Sequence, residues 1–336
     1  MANMHDLITM GRATIDLYSQ DIGVPFEKIK SFAAYVGGSP TNIAVGAERL
    51  GLDVALISAV GEDPVGDFVL AFLNEEGIDT AFITRKPAAR TGAALLGIER
   101  PDLIPLVYYR DNAADIQLTI DDVMAAPIVE CRAFEFAGTN LSQEPSRSAT
   151  LFAVELAKSA GVRVIMDLDF RADLWGDVRS FGLMVRSVLP LVDIAIGTEE
   201  EIKAAVLESA EQLTITHSQV TAPEISGDLD IARNSLLERG LEALVVKQGS
   251  KGSSVYLQGG EVVVAPGFLV EVLNVLGAGD AFASGLIYGR LKGWDWYRAA
   301  RMGNACGAIV VTRHGCANFM PYEMEALEFI EQRGGF

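Results

Sequence analysis

Cysteine is scarce in this chain, and its few copies are poorly spaced for a structural role. They are odd in number and none belongs to a C-x-x-C pair: Cys131, Cys306 and Cys316. The sequence therefore indicates neither a disulfide framework nor a zinc site. Long apolar runs are also absent, since no stretch approaches the length that crosses a bilayer. The first residues lead into the strand-like run 7–10 without a basic segment or a long apolar region, so we expect a cytoplasmic protein without membrane contact.

Basic residues are in deficit. Lysine and arginine number 27 against 45 aspartates and glutamates, which gives a formal net charge of −18. Proteins that bind nucleic acids neutralise phosphates with clustered lysines and arginines, so we expect no nucleic-acid partner. An anionic small molecule would have to be bound by a few local arginines.

The length of the chain limits its organisation. It has 336 residues, of which 50% are hydrophobic, enough for one large α/β domain or two smaller ones. We find no internal repeat or low-complexity linker, and we predict a single domain over residues 1–336.

Short apolar runs alternate with helical patterns along most of the chain. The runs are apolar on both sides, as in strands that helices cover on two faces, and they lie at 54–57, 164–166, 194–196 and 244–246. Helical periodicity predicts helices at 67–76, 146–160, 177–189, 200–208, 228–239, 280–292 and 296–312. We therefore predict an α/β fold with a mainly parallel central sheet.

Two segments do not follow this alternation. Residues 14–36 and 91–109 read as extended stretches with turn residues between them. We interpret them as a small β-sheet lid inserted into the main domain, formed by about residues 12–36 and 91–112.

A late Gly-Ala-Gly-Asp motif joins an anion-binding turn to a carboxylate. Gly277, Ala278 and Gly279 leave their peptide N–H groups uncovered at the start of a helical pattern, where a helix N-terminus favours an anion such as phosphate. Asp280 lies in the first turn, close enough to remove a proton from a hydroxyl group that attacks the phosphate. The same residues also fit a structural role, with Asp280 stabilising the helix start and the glycines forming a tight turn.

A second glycine pair stands early in the chain. Gly37 and Gly38, in the sequence Gly-Gly-Ser-Pro-Thr-Asn, open a predicted helix at 42–50. In order and separation, this pair and the late motif resemble two motifs of the ribokinase-like (PfkB) family of carbohydrate kinases, and the resemblance runs nearly end to end. It implies a three-layer α/β sandwich with a lid over the sugar site. It also implies ATP and Mg²⁺ as cofactors and a homodimer as a common state.

The resemblance assigns a sugar site to residues near the first strand. Asp16 follows the run 7–10, and ligands in open α/β sheets bind beyond the carboxyl ends of strands. An aspartate there is by itself more often a turn residue or a cap, but Asp16 matches the family's sugar-binding aspartate. Gly37 and Gly38 permit close approach of the backbone to a polyol. Asn42 offers a donor and an acceptor, or serves as a helix cap.

Two arginines indicate an acidic sugar. Arg110 ends a predicted lid strand and Arg171 follows a core strand. A guanidinium group binds a planar carboxylate through two parallel hydrogen bonds, although each arginine alone also fits a surface ion pair. The segment 167–175, Asp-Leu-Asp-Phe-Arg-Ala-Asp-Leu-Trp, is similar to the Asp-x-(Asn or Asp)-aromatic-Arg-x-x-Leu-Trp segment of the family branch that acts on keto-deoxy sugar acids.

Two details separate the members of this branch. Kinases of 2-dehydro-3-deoxygluconate usually carry Asn where this chain has Asp169, and Asp-Thr where it has residues 274–275, Asn-Val. Asp169, the run 274–280 and the Arg-His-Gly-Cys run at 313–316 instead resemble kinases of 5-dehydro-2-deoxygluconate in myo-inositol catabolism. We therefore predict phosphorylation of 5-dehydro-2-deoxy-D-gluconate at its terminal hydroxyl. A 2-dehydro-3-deoxygluconate kinase and a fructokinase-like sugar kinase are the alternatives.

A glycine-bearing turn supplies part of the predicted nucleotide site. The turn 247–252 follows a core strand and either lies against the nucleotide through its backbone or forms an ordinary hairpin. We predict that Lys247, Gly249 and Gly252 of this turn contact the nucleotide. Asn304 lies in a small-residue helical run that resembles the family's adenine-side helix, and we predict a nucleotide contact there.

The metal assignment depends on one residue. The run 197–201, Gly-Thr-Glu-Glu-Glu, occupies the place of the family's Asn-x-x-Glu motif, so the resemblance assigns Glu200 to the hydrated Mg²⁺, with Gly197 in place of Asn. An acidic helix start also complements the helix dipole. A monovalent cation such as K⁺ near residues 313–317 is a further option, which Asn274 in place of the usual Asp leaves open.

The predicted reaction is phosphoryl transfer from ATP to a sugar acid. Asp280 accepts the proton of the attacking hydroxyl, and the amides of 277–279 bind the charge that develops on the phosphoryl oxygens. A nicotinamide-linked dehydrogenase is a rival, but it requires G-x-G-x-x-G after the first strand, where this chain has Met-Gly-Arg-Ala-Thr-Ile at 10–15. A non-catalytic sugar-binding relative is the other rival, and it would be free to lose Asp280.

Overall fold

The computed structural model describes residues 5–101, 103–214 and 223–336. Within these residues the strands are β1 (His5–Met10), β2 (Thr14–Ser19), β3 (Phe32–Gly37), β4 (Val54–Gly61), β5 (Ile83–Lys86), β6 (Gly92–Leu96), β7 (Leu106–Tyr109), β8 (Cys131–Ala137), β9 (Arg163–Asp167), β10 (Ile194–Thr198), β11 (Leu213–Thr214), β12 (Glu224–Ile225), β13 (Ala243–Lys247), β14 (Gly252–Leu257) and β15 (Val262–Pro266). The α-helices are α1 (Ser39–Arg49), α2 (Pro64–Glu75), α3 (Ile120–Met124), α4 (Ser146–Ser159), α5 (Arg179–Val188), α6 (Glu199–Ala204), α7 (Leu229–Leu237), α8 (Ala278–Leu291), α9 (Trp296–Val310) and α10 (Glu323–Glu331).

The central sheet has nine strands in the order β15-β14-β13-β10-β9-β8-β1-β4-β5. The strands from β13 to β5 in this order pair in parallel, whereas β14 and β15 complete one edge as antiparallel strands. Parallel neighbours need crossover connections, and the helices provide most of them. The α/β fold with a mainly parallel sheet, predicted from the alternating runs, is confirmed.

Helices cover both faces of this sheet. In β1, Leu7 belongs to the buried cluster that includes Ile43 of α1 and Leu286 of α8. Its neighbour Ile8 belongs to a second cluster, with Val154 of α4, on the opposite face. Successive strand residues point to opposite faces, so the two clusters form the two outer layers of a three-layer sandwich.

The lid is a four-stranded sheet in the order β3-β2-β6-β7. It is mixed, because β2 pairs antiparallel with β3 but parallel with β6. Only residues 11–13 separate β1 from β2, so the lid begins directly at the carboxyl end of a central strand. The predicted β-sheet lid is confirmed, whereas the single domain over residues 1–336 stays a prediction.

Several element boundaries differ from the predicted ones for local reasons. Helix α1 starts at Ser39 rather than Asn42, because Gly38 is its N-cap and a proline occupies its first turn. Helix α2 starts at Pro64, since the Asp63 side chain accepts a hydrogen bond from the backbone of the first turn. Strand β8 was not predicted, because Arg132 and Glu135 interrupt its apolar run.

Among the described helices, none combines the length and apolar character needed to cross a bilayer.

Candidate active site

A cavity lies where the carboxyl end of β1 meets the lid, α1 and α8. Several residues predicted from the sequence lie on its wall together: Asp16, Gly38, Asn42, Arg171, Gly277 and Asp280. Residues that the sequence did not single out complete the wall, including Arg12, Thr14, Tyr18, Ser39, Tyr108 and Leu276. The two glycine motifs, far apart in sequence, therefore border one cavity.

The start of α8 forms the floor of an anion-binding turn. Gly277 is its N-cap and has a φ of 76°, and within the described structure no side chain caps this helix. A Cβ at Gly277 would lie 2.8 Å from the backbone nitrogen of Cys316, so only glycine fits both the left-handed backbone and the close approach. Ala278 donates to the backbone oxygen of Val275 at 3.4 Å. The amide of Gly279 has no side-chain cap, which leaves a donor for a negatively charged group at the start of the helix.

Asp280 is held beside this turn by a side chain from the other motif. Asn42 Nδ2 donates a hydrogen bond of 2.7 Å to Asp280 Oδ2. Burial and the nearby charge of Asp169 raise the pKa of Asp280 above its ordinary value, which makes it a stronger base than an exposed carboxylate. The remaining amide oxygen, Asn42 Oδ1, is buried without a hydrogen-bond partner among the described residues, and it is available to a substrate hydroxyl.

Asp16 projects from the lid strand β2 into the same cavity. Its carboxylate lies against Gly37, where any Cβ would overlap it, and its Oδ1 accepts a hydrogen bond of 2.8 Å from Thr14 Oγ1. Burial raises the pKa of Asp16 to about 6. An aspartate that is partly desolvated in this way gains from a hydroxyl donor.

The two predicted arginines lie in different surroundings. Arg171 is on the cavity wall, and its Nη2 lies 2.8 Å from Asp169 Oδ1. Arg110 is buried in an ion pair with Asp115 and does not belong to the described cavity wall, where Arg12 stands instead. The sequence could have indicated Arg12 as a site residue, because it lies in the run 10–15 directly after β1.

Lys247 connects the end of β13 to the anion-binding turn. Its Nζ lies 3.2 Å and 3.3 Å from the two oxygens of Asp167, and a Cβ on Gly279 would come within 3.1 Å of this nitrogen. Although burial lowers the pKa of Lys247, the carboxylates of Asp167 and Glu201 raise it above its ordinary value. A fixed positive charge therefore lies next to the turn.

The structure gives Glu200 and its neighbour different environments. Glu200 Oε1 accepts a hydrogen bond of 2.5 Å from Lys203, and its Oε2 accepts one of 2.6 Å from the backbone of Ile225. Glu201 instead lies 3.8 Å from Lys247 Nζ and forms a capping box with Thr198. The role of Glu200 in metal binding stays a prediction. The Thr-x-x-Glu signature accounts for the capping box of Glu201. In the segments that the structure covers, His, Cys, Asp and Glu form no group of three or more suited to a metal.

Two of the predicted nucleotide residues, Gly252 and Asn304, contact the end of β15. Gly249 and Gly252 form the turn of the β13–β14 hairpin, and Gly252 is paired with Pro266. Asn304 Nδ2 donates to the backbone oxygens of Ala265 and Pro266 at 3.0 Å and 3.1 Å. The hairpin that the sequence left as an alternative is thus present, and the turn and Asn304 are close together.

Asn274 links the two loops that flank the anion-binding turn. Its Nδ2 donates to the backbone oxygen of Arg313 at 2.7 Å, and its Oδ1 accepts from the backbone nitrogen of Leu276 at 2.9 Å. The side chain is fully buried. An amide cross-links these loops without adding a negative charge. A negative charge at this position would favour a bound K⁺, which the sequence left as an option.

Known proteins are similar to this chain over nearly their whole length. The pfkB family carbohydrate kinase model matches residues 4–323. A 5-dehydro-2-deoxygluconokinase of Shouchella clausii (strain KSM-K16) is 34% identical over 98% of this chain and 96% of its own. One of Clostridium tetani (strain Massachusetts / E88) is 35% identical over 98% of this chain and 93% of its own. An E. coli structure described as ribokinase II, in complex with ATP and Mg²⁺, is 26% identical with a TM-score of 0.84, covering 99% of this chain and 100% of that chain.

The fold, the residues of the cavity and the sequence comparisons thus all indicate the same family. The two glycine motifs meet at one cavity, the lid stands over it, and the family match extends over nearly the whole chain. The chain belongs to the pfkB family of carbohydrate kinases.

Proposed function

We propose that the protein transfers the γ-phosphoryl group of ATP to the terminal hydroxyl of 5-dehydro-2-deoxy-D-gluconate and so produces the 6-phosphate. The observation that carries the proposal is the contact between Asn42 and Asp280 beside the uncapped start of α8. It joins a base to an anion-binding turn in a cavity that also contains an arginine. The names of the relatives from Shouchella clausii and Clostridium tetani support this acceptor.

The acceptor is held by groups from the lid and from α1. Asp16 and the free oxygen of Asn42 accept hydrogen bonds from hydroxyl groups, and the backbone at Gly37 and Gly38 lies beside them. Arg171 binds the carboxylate, which directs the far hydroxyl towards Asp280. The predicted contact of Arg110 with the acid stays part of the proposal, although its guanidinium group is already paired with Asp115.

Asp280 acts as the general base. The hydroxyl oxygen forms a bond to the γ-phosphorus while the bond to the ADP oxygen breaks, and the hydroxyl proton passes to Asp280. Charge on the phosphoryl oxygens is stabilised by the amides that follow Gly277 and by Lys247. A base of this kind contributes about 10²–10⁴-fold to the rate.

The nucleotide lies along the β13–β14 turn. We assign its contacts to Lys247, Gly249, Gly252 and Asn304, all of which are near the end of β15 or the anion-binding turn. Mg²⁺, when bound with the nucleotide, would neutralise phosphate charge. Glu200 is the residue that the resemblance predicts to help hold it.

A coupled kinase assay tests the acceptor. Under one set of conditions, kcat/KM is measured for 5-dehydro-2-deoxy-D-gluconate, 2-dehydro-3-deoxy-D-gluconate, D-fructose and adenosine. We expect the first acid to give the highest value. A higher value for 2-dehydro-3-deoxy-D-gluconate would keep the kinase but change its substrate, and a preference for fructose or adenosine would refute an acid-binding role for the arginines.

An exposed edge of the lid supports a homodimer as part of the proposal. Strand β7 ends the lid sheet, and its residues Val107 and Tyr109 are exposed. An unpaired edge of this kind offers a surface for a second copy of the chain, and sedimentation velocity tests it.

We also propose a cytoplasmic location, in keeping with the ATP requirement and with three buried cysteines that form no disulfide.

A further inference from the structure

We infer that Asp169 is a positioning residue that holds Arg12 and Arg171 side by side as a two-armed site for the carboxylate of the acceptor. The inference rests on the proposed sugar-acid kinase function and deepens it. It gives the second arm to Arg12 and makes a buried carboxylate, which does not itself touch substrate, responsible for substrate choice.

Asp169 lies two residues after the end of β9, in an unusual backbone conformation. Its φ is 38°, in the left-handed region, and its side chain is only 2% exposed. Oδ2 accepts hydrogen bonds of 2.8 Å from Arg12 Nη1 and 2.8 Å from Thr139 Oγ1. Oδ1 lies 2.8 Å from Arg171 Nη2. One carboxylate therefore fixes two guanidinium groups at once.

The charges of this triad do not cancel. Although burial raises the pKa of Asp169, Arg12 and Arg171 hold it well below its usual range, so the carboxylate is ionised. At hydrogen-bond distance the structure sets one carboxylate, Asp169, against two guanidinium groups, and Glu201 Oε1 lies farther away, 3.8 Å from Arg171 Nη1. Both arginines line the cavity. Two adjacent guanidinium groups suit a planar carboxylate of the ligand, whereas a neutral sugar offers no such charge.

A donor that lacks a partner points to the same ligand. Arg171 Nε is buried and has no hydrogen-bond partner among the described residues. A buried donor of this kind costs about 1–3 kcal/mol until it is satisfied. A carboxylate that binds the free N–H groups of Arg171 and Arg12 from the cavity side would satisfy it.

The ion pair of Arg110 provides an internal contrast. Arg110 and Asp115 are both buried and form a pair of opposite charges, which leaves no net charge. Arg110 Nη1 is also buried without a partner among the described residues, but Arg110 does not belong to the cavity wall as far as the structure describes it. The second arm is therefore better assigned to Arg12 than to Arg110.

The test is Asp169→Asn in the full-length enzyme. Asparagine has nearly the same shape and tolerates a left-handed backbone, so the substitution chiefly removes the charge that holds the arginines together. We expect KM for 5-dehydro-2-deoxy-D-gluconate to rise about 10- to 100-fold, the loss expected from a charge-assisted hydrogen bond. KM for ATP should not change, and kcat should fall much less than KM rises. An unchanged or lower KM for the acid would overturn the inference.

Further variants protect the test against simple loss of stability. Arg12→Gln should raise KM for the acid in the same way, and a rise with Arg110→Gln but not with Arg12→Gln would refute our choice of arm. Arg49→Gln is the matched control, because Arg49 forms a buried ion pair with Glu76 outside the cavity. It should lower the melting temperature without changing KM.

The comparison of an acid with a neutral sugar separates this inference from the proposed function. If the unaltered enzyme prefers D-fructose to the acid, the proposed function fails. If the unaltered enzyme prefers the acid and Asp169→Asn keeps the same ratio of kcat/KM values, only the role of Asp169 fails.

Discussion

The acceptor half and the nucleotide half of the cleft are built in different ways. In the acceptor half, buried side chains bind one another, as Asp169 does with two arginines and Asn42 with Asp280. In the nucleotide half, backbone turns and a sheet edge dominate. The acceptor half is thus fixed before substrate arrives, whereas the nucleotide half offers mainly peptide groups.

This difference matches what each half has to recognise. Sugar acids differ in a few hydroxyl and carboxylate positions, so they must be distinguished by fixed polar side chains that lose partners when the wrong molecule binds. The phosphates of ATP are common to many enzymes, and uncapped backbone amides bind them without side-chain choice. We therefore expect substitutions in the acceptor half to change substrate choice and those at the junction to change the rate.

We expect the largest loss of activity from a substitution of Asp280, which lies at the junction between the two halves. Asp280→Asn keeps the shape of the side chain but removes the base, so we expect kcat to fall by about 10²–10⁴-fold. Binding of ATP, measured by isothermal titration, should persist because the amides that follow Gly277 remain.

The neighbouring amide separates positioning from chemistry. Asn42→Ala removes the hydrogen bond to Asp280 without removing the base, so its kcat should lie between those of the unaltered enzyme and Asp280→Asn. Near-normal turnover of Asp280→Asn would exclude Asp280 as the base and would remove the main link between the two halves.

We expect the second largest loss of activity from a substitution of Lys247, because it is the one charged side chain that we assign to the phosphates. Lys247→Met keeps most of the side-chain volume, and the lost charge-assisted contact should lower kcat/KM for ATP about 10- to 100-fold. KM for the acid should change little. Lys158→Met, which disrupts an ion pair with Asp193 away from the cavity, is the control. An equal effect on ATP and acid would show that Lys247 only supports the fold.

The parallel sheet could be predicted from the sequence because its strands carry their signal locally. Runs such as 164–166 are apolar on both sides, and the motif at 277–280 marks a helix start by composition alone. The contact of Asn42 with Asp280 joins residues 238 positions apart, and no local pattern contains it. Resemblance to a family assigned both residues to one site, but it did not predict this contact.

Charged residues show what local sequence spacing leaves undetermined. Arg110 and Arg171 each follow a strand, yet only Arg171 reaches the described cavity wall, because Asp115 lies five residues after Arg110 and pairs with it. Glu200 and Glu201 are adjacent, but one step along a helix turns a side chain by about 100°. Local spacing could not determine which of two charged neighbours points into a cleft formed by distant segments.

Asp16 allows the acceptor half to be tested for a cost in stability. Burial raises the pKa of Asp16 to about 6, so the folded state holds a proton that the unfolded state releases near pH 4. The contribution of Asp16 is therefore present below about pH 4 and is lost as the pH rises through about 6. Relative to the enzyme with Asp16→Asn, the unaltered enzyme should lose about 1–3 kcal/mol of unfolding free energy over this range.

Urea unfolding at several pH values measures this difference. Asp21→Asn is the matched control, since backbone hydrogen bonds from Lys30 and Ser31 lower the pKa of the exposed Asp21. Its contribution is present above the unfolded pKa and is lost as the pH falls, so the sign of the difference should reverse. The same sign for both variants would show that Asp16 is not held in a desolvated site.

The smallest effect is expected from monovalent cations. Asn274 already cross-links the loops beside the anion-binding turn through an uncharged amide, so the described structure has an amide rather than a carboxylate at this position. Replacing K⁺ by choline at constant ionic strength should leave kcat/KM unchanged in the coupled assay. Asn274→Asp would place a charge in the same buried position, and its activity should depend on K⁺ because an unpaired buried carboxylate is costly. A strong K⁺ requirement in the unaltered enzyme would show that its junction is completed by a bound ion rather than by protein groups alone.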